Sequence, residues 1–151
     1  MSNALNETIN RANKDGIKYM LTISTEDKSF EQILRIVNGY KSVYGTYGIH
    51  PHEAKSHQHI KSDDIINKVN QNKKIIGVGE TGLDFYYNHS EKKDQIYSFE
   101  EHISAAQEKN LPLIVHTRSA EKETLQILEK HSKKKETKIL IHCFTGTREF
   151  A

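Results

Sequence analysis

The segment that contributes most to the predicted fold is Ile75-Ile76-Gly77-Val78-Gly79-Glu80-Thr81-Gly82-Leu83-Asp84-Phe85. Its apolar, β-branched beginning, bounded by glycine, predicts a buried strand that stops at a polar rim. A carboxylate in such a place is costly to bury unless it is paired or bound to a cation. Glu80, at the predicted end of this strand, therefore needs a partner.

Three further segments share this pattern, since each is an apolar run that ends in histidine. In parallel α/β folds the C-terminal ends of the strands meet at one edge, where ligands and catalytic groups gather. Histidine and carboxylate side chains that converge there make a metal site the leading interpretation. The three segments are Val43-Tyr44-Gly45-Thr46-Tyr47-Gly48-Ile49-His50-Pro51-His52, Leu111-Pro112-Leu113-Ile114-Val115-His116 and Lys138-Ile139-Leu140-Ile141-His142.

Helical and strand patterns alternate along the chain at least four times, with no internal repeat and no low-complexity linker. Right-handed crossovers would make the five predicted strands parallel. The sequence alone therefore predicts a parallel α/β fold, either an open sheet or a barrel. The predicted helices begin near residues 5, 30, 62, 91 and 120, and the first strand spans 17–23.

The composition indicates one globular domain with a sizeable core, because the chain has 151 residues. Its 22 basic and 20 acidic residues nearly balance, so overall charge gives no reason to expect nucleic-acid or anionic-membrane binding. The single cysteine excludes an internal disulfide and fits a reducing cytosol. No apolar run approaches the roughly 18 residues of a membrane span. These observations predict a cytoplasmic protein that is not embedded in a membrane.

Four motifs of this chain resemble the TatD family of metal-dependent deoxyribonucleases. They occur in the family's order with similar spacing, and the resemblance runs from roughly residue 5 to the end of the chain. Together they are specific, although any one alone would be weak. The motifs are Gly48-Ile49-His50-Pro51-His52, Gly79-Glu80-Thr81-Gly82-Leu83-Asp84, Leu111-Pro112-Leu113-Ile114-Val115-His116-Thr117-Arg118 and His142-Cys143-Phe144-Thr145-Gly146-Thr147-Arg148-Glu149.

The resemblance implies a (β/α)8 barrel with divalent metal ions at its C-terminal mouth. It implies hydrolysis of DNA phosphodiester bonds by metal-activated water, as 3′-to-5′ trimming of single strands or 3′ ends. Imidazole and carboxylate ligands suit Mg, Mn or Zn without choosing among them. The residues that match the family motifs are Glu80, His116 and His142 as metal ligands, with Glu80 also catalytic and able to bridge two ions, and His50, Arg118 and Asp84 on the substrate side.

The chain departs from the family pattern in its length. Family members are usually longer, begin with a strand that often carries His-x-His, and supply a catalytic aspartate near the C-terminus. We therefore expect residues 1–151 to form a single partial domain with barrel strands two to six, and without strands one, seven and eight. Five parallel strands cannot close an eight-stranded barrel. Its open edges would favour self-association or a complementing chain.

The alternative function is a non-catalytic remnant, or a metal-binding or interaction module of the same fold. Another amidohydrolase, acting on amide or ester bonds, is disfavoured by the Thr-Gly-Leu-Asp and His-Cys-Phe-Thr-Gly motifs.

Several polar residues near the motifs have two interpretations. His52 either contributes to the site or only shapes the turn after proline, and Arg118 either contacts phosphate or forms a structural salt bridge. Cys143 should point away from His142 on a strand, which favours a packing role. The remaining histidines are expected at the surface, namely His57, His59, His89, His102 and His131.

Overall fold

The computed structural model describes residues 3–151. Across this range one sheet of five parallel strands, in the order β1-β2-β3-β4-β5, curls into a half-barrel with helices packed around it. The predicted partial barrel is therefore confirmed. The strands are β1 (Met20–Thr22), β2 (Val43–Tyr47), β3 (Ile75–Asp84), β4 (Leu113–Arg118) and β5 (Ile139–Ile141), and the helices are α1 (Asn3–Lys14), α2 (Phe30–Gly39), α3 (Ser62–Val69), α4 (Lys92–Lys109) and α5 (Glu121–Ser132).

The core lies between the sheet and the helices that pack on its outer face. Phe99 and Ile103 of α4 are fully buried against β3, as expected for residues spaced four apart on one helix face. On α2, Phe30 packs edge-to-face on Tyr47 of β2 with ring centroids 4.8 Å apart. Asn110 ends α4 in the left-handed conformation, with φ 52°, which asparagine tolerates better than most residues at a helix C-terminus.

Strand β3 continues beyond the predicted end at Glu80, as far as Asp84. Its register against β4 shifts between Val78 and Thr81, so Gly79 and Glu80 form a bulge inside the strand. Gly79 has φ +130°, and a Cβ there would lie 2.4 Å from the carbonyl oxygen of Ile114. Only glycine fits this backbone, and the bulge turns the Glu80 side chain relative to a regular strand.

The two outer strands are shorter than the sequence predicts. Within residues 3–151, β1 and β5 each pair with a neighbour on one side only, so fewer ladder hydrogen bonds extend them. His142 consequently lies just after β5, although its backbone N–H still donates to the Val115 carbonyl oxygen. Leu140 of β5 is 50% exposed, which leaves an apolar edge. Among the described residues, no helix is long and apolar enough to cross a membrane.

Candidate metal centre

Four of the predicted site side chains meet at the C-terminal edge of the half-barrel. His50 follows β2, Glu80 lies in the β3 bulge, His116 belongs to β4 and His142 follows β5. One ligand atom from each of His50, Glu80 and His116 lies within 4.8 Å of the other two. The predicted convergence of these strand ends is therefore present in the structure.

The backbone of this site is held by the loop that follows β1. The Glu80 N–H donates to the carbonyl oxygen of Ser24 at 3.0 Å, and the His50 N–H donates to that of Thr25 at 2.8 Å. The Ile49 N–H donates to Nε2 of His102, a fully buried ring on α4, at 3.0 Å. These bonds tie the segments that carry His50 and Glu80 to two other parts of the fold, the loop after β1 and helix α4.

Glu80 is the buried carboxylate at the centre of the group. Its Oε1 lies 3.0 Å from Nδ1 of His142 and 3.4 Å from Nδ1 of His116. Burial alone would raise its pKa, but the hydrogen bonds with His116 and His142 outweigh burial and lower the pKa to about 2. Glu80 is therefore a carboxylate at neutral pH.

Asp84 lies behind the histidines and is completely buried. Its Oδ2 is 2.9 Å from Nε2 of His52 and 3.0 Å from Nε2 of His116, while Oδ1 accepts the backbone N–H groups of Tyr86 and Tyr87. Burial would raise its pKa, yet these hydrogen bonds to the charged form lower it to about 2. Asp84 thus presents a fixed negative charge to His52 and His116.

His50 is partly buried between two other imidazoles. Its ring centroid is 4.4 Å from that of His52 and 4.5 Å from that of His116. Burial and the neighbouring histidines lower its pKa to about 4. Nδ1 accepts the backbone N–H of His52 at 3.3 Å, which favours the neutral tautomer with the proton on Nε2. That tautomer presents an N–H donor, which suits a phosphate oxygen.

Two clefts flank the Glu80 and His116 side chains. The larger, of about 410 Å³, is lined by His116, Arg118, His142 and their neighbours on the β4 and β5 side. The smaller, of about 300 Å³, is lined by Thr25, His50, Glu80 and their neighbours on the β2 side. The cluster is therefore open to solvent on both sides.

The donor set fits a divalent metal ion. It combines a buried, ionised carboxylate with imidazole nitrogens, which are ligands for Zn and Mn. The pKa of His116 is raised, because hydrogen bonds to Glu80 and Asp84 outweigh its burial. Two carboxylates that raise the proton affinity of one imidazole would also favour a cation in place of that proton. Glu80 and His116 would hold the ion together with His142, whose Nδ1 lies 3.0 Å from Glu80, and His50 would lie beside it.

Three sequence expectations are wrong in the structure. Cys143 does not pack inward: it is exposed with its Sγ 3.6 Å from Nε2 of His142, because the chain has already left the strand and Cys143 has φ 46°. His102 and His131 are buried and not at the surface, since both lie on the packed faces of their helices. For His52 the sequence did not decide between a role in the site and a role in the turn; in the structure its ring contacts Asp84.

The paired tyrosines after β3 were not indicated by any motif. Tyr86 and Tyr87 are 60% and 48% exposed and lie beside His52 and Arg118. Two adjacent aromatic residues in a loop that follows a site-bearing strand were the signal that could have singled them out.

The match to known proteins agrees with this geometry. A family model described as TatD related DNase matches residues 1–151. The chain belongs to this family. It is similar to an uncharacterized metal-dependent hydrolase of Buchnera aphidicola subsp. Baizongia pistaciae, with 33% identity over 142 residues that make up 93% of this chain and 52% of that protein. It is also similar to the 3′-5′ ssDNA/RNA exonuclease TatD of Shigella flexneri serotype 5b, with 32% identity, 95% of this chain and 54% of that protein.

A solved structure shares the fold of this TatD-family chain. The TatD homologue YJJV of Escherichia coli K12 superposes with a TM-score of 0.86 over 98% of this chain and 57% of that one, at 23% identity. At this identity the likeness concerns the fold. The chain spans about half the length of the curated relatives it matches.

Proposed function

We propose that this chain takes part in metal-dependent hydrolysis of phosphodiester bonds in single-stranded DNA, trimming from the 3′ end. One observation carries the proposal: His50, Glu80 and His116 bring their ligand atoms within 4.8 Å of one another at the C-terminal edge of a TatD-type half-barrel. The name of the Shigella relative, a 3′-5′ ssDNA/RNA exonuclease, supports the substrate class. The names of other relatives support a metal-dependent hydrolase.

In this proposal the site residues either hold the metal ion or contact the substrate. Glu80, His116 and His142 hold Mg, Mn or Zn, and Glu80 acts as a ligand and not as a proton donor because its pKa is about 2. When bound, the ion supplies Lewis-acid polarisation of the phosphodiester and an activated water. His50 donates an N–H to a phosphate oxygen, and Arg118 faces the same substrate from the larger cleft. Asp84, which is not exposed, acts on the substrate side only through His52 and His116.

A second function is favoured by the apolar edge of the half-barrel. Ile139 and Leu140 of β5 and the following Phe144 are 40–50% exposed. An edge of this kind suits a metal-binding or interaction module that is completed by another copy or by a complementing chain. In that case the metal centre would bind an ion without turnover by this chain alone.

The test compares purified wild type with Glu80→Gln on 5′-labelled single-stranded DNA, with and without Mn²⁺. We expect stepwise shortening from the 3′ end with Mn²⁺, and its loss in the variant. Glu129→Gln, at an exposed position on α5, is the matched control and should cleave like wild type. Calorimetric titration with Mn²⁺ should show binding by wild type and none by Glu80→Gln.

The outcomes separate the two functions. A folded wild type that binds Mn²⁺ but leaves the DNA intact would overturn hydrolysis by this chain and support the module. Cleavage that persists in Glu80→Gln would overturn the assignment of Glu80.

A further inference from the structure

The loop after β3 presents a group of exposed rings beside the metal centre. Tyr86 and Tyr87 are 60% and 48% exposed, and His89 is also exposed. The rings of Tyr87 and His89 are stacked, with centroids 5.7 Å apart and planes inclined by 10°. We call these three residues the aromatic platform. The fold buries only part of these rings and leaves aromatic surface open to a planar ligand.

The guanidinium group of Arg118 lies against both tyrosine rings of the platform. Arg118 at the end of β4 lies 4.3 Å from the ring centroid of Tyr86 and 4.7 Å from that of Tyr87. This cation–π arrangement holds the positive charge next to the tyrosines. Arg118 also lines the larger cleft together with His116 and His142. One charge therefore lies at the junction between the platform and the metal centre.

The platform is attached to the metal centre by a short series of contacts. The backbone N–H groups of Tyr86 and Tyr87 donate to Oδ1 of Asp84 at 3.1 and 3.0 Å, and Oδ2 of Asp84 is 3.0 Å from His116. The Tyr87 ring is 5.5 Å from the ring of His52, which contacts the same carboxylate. A ligand on the platform would thus be positioned relative to the ligand atoms of the cluster.

Aromatic rings next to a guanidinium group can bind both parts of a single-stranded nucleic acid, its bases and its phosphates. Proteins bind unpaired strands by stacking bases on aromatic side chains while cationic groups contact the phosphates. A base inside a duplex has both faces covered by its neighbours, so it cannot use such a surface without being unstacked.

We propose that Tyr86, Tyr87 and His89, with Arg118, form a stacking site for an unpaired base of single-stranded DNA, next to the phosphate that the metal centre engages. The position relative to the cleaved phosphate rests on the proposed function. The stacking itself does not, because it requires no turnover.

The test measures binding without metal ions, in EDTA and at low salt, so that no strand is cleaved. Fluorescence anisotropy compares a labelled oligothymidylate with an abasic oligonucleotide of equal length and charge. For Tyr86→Ala and Tyr87→Ala we expect oligothymidylate affinity to fall on the order of tenfold, and the affinity for the abasic probe to stay the same. Tyr86→Phe and Tyr87→Phe keep the ring and should bind like wild type.

A matched control is available at the opposite edge of the sheet. Tyr19, which precedes β1, is 73% exposed and contacts Tyr44 edge-to-face. Tyr19→Ala removes a tyrosine that is even more exposed but lies before β1, away from the C-terminal edge, and this variant should bind both probes like wild type.

Several results would overturn the inference. If wild type showed no preference for oligothymidylate over the abasic probe, the evidence for stacking would be removed. The alanine variants would also contradict the inference if they lost the same affinity for both probes, or if they bound oligothymidylate like wild type. A lower sedimentation coefficient in the alanine variants would also overturn it, because a second copy of the chain would then cover the platform.

Failure of this inference is distinguishable from failure of the proposed hydrolysis. Tyrosine-dependent binding by a protein that never cleaves DNA would leave the platform standing and end the hydrolysis proposal. If cleavage depends on Glu80 but the tyrosine variants bind DNA like wild type, the hydrolysis proposal stands and the platform inference is wrong.

Discussion

Oδ2 of Asp84 lies 3.0 Å from Nε2 of His116, while Nδ1 of the same ring lies 3.4 Å from Oε1 of Glu80. Because Asp84 is ionised, with a pKa of about 2, Nε2 carries the proton that it accepts. Nδ1 hydrogen-bonds the ionised Glu80 while the ring is protonated, and a metal ion on the Glu80 side would take the place of that proton. The buried carboxylate thus selects the tautomer in which His116 can act as a metal ligand.

Asp84→Asn should weaken metal binding while leaving the ligands themselves in place. The amide oxygen cannot attract two imidazole N–H groups as a carboxylate does, so His116 would lose its fixed tautomer. We expect the affinity for Mn²⁺, measured by calorimetric titration, to fall by about 10–100-fold. Asp63→Asn, at an exposed position in the first turn of α3, is the control. An affinity equal to wild type in Asp84→Asn would contradict the orienting role.

Gly82→Ala should destabilise the fold strongly. Gly82 has φ +134°, and a Cβ there would lie 2.0 Å from the carbonyl oxygen of His116. Gly16 provides a matched comparison, because it has φ +88° but nothing within 4 Å of its Cβ position. In urea unfolding we expect Gly16→Ala to cost about 1 kcal/mol from backbone strain alone. Gly82→Ala should cost at least about 2 kcal/mol more, and equal costs would show that the contact with His116 is readily relieved.

The buried imidazole of His102 should make the protein less stable in mild acid. Burial lowers its pKa to about 4 from the ordinary 6.5, although the hydrogen bond to the Ser98 carbonyl oxygen opposes the shift. The unfolded chain therefore binds a proton at this residue below about pH 6.5, where the folded chain still does not. Its contribution to stability is complete above pH 6.5 and is lost as the pH falls toward 4.

His102→Gln removes this titration and keeps an acceptor for the Ile49 N–H. The free energy of unfolding, measured by urea denaturation from pH 7 to 4, should fall less steeply in this variant than in wild type. His59→Gln, at an exposed position, should follow the wild-type slope. Parallel curves for His102→Gln and wild type would refute the assignment.

The general architecture could be predicted because it depends on local patterns, namely apolar, β-branched runs that alternate with helical segments. Apolar runs ending in His or Glu predicted the strands and their shared edge. The details that depend on tertiary contacts could not be predicted. The bulge at Glu80 arises from pairing with β4, and the burial of His102 depends on a backbone N–H from Ile49, 53 residues away in sequence.

The position of Cys143 shows a further limit of pattern reasoning. Strand alternation predicts that it points away from His142, but alternation applies only while the chain remains extended. The chain leaves the strand after Ile141, and a left-handed residue at 143 brings the thiol back beside the imidazole. The sequence indicates that the run ends near His142, but not that the backbone turns left-handed at the next residue.

The loop after β1 carries none of the proposed metal ligands, yet it binds two site segments through their main chain. Ser24 and Thr25 accept the N–H groups of Glu80 and His50, so a displacement of this loop would move an anion and an imidazole at the same moment. The position of the edge strand β1 and its loop is therefore coupled to the positions of two site residues. Main-chain hydrogen bonds from the edge of the half-barrel thus help to fix the geometry of the site.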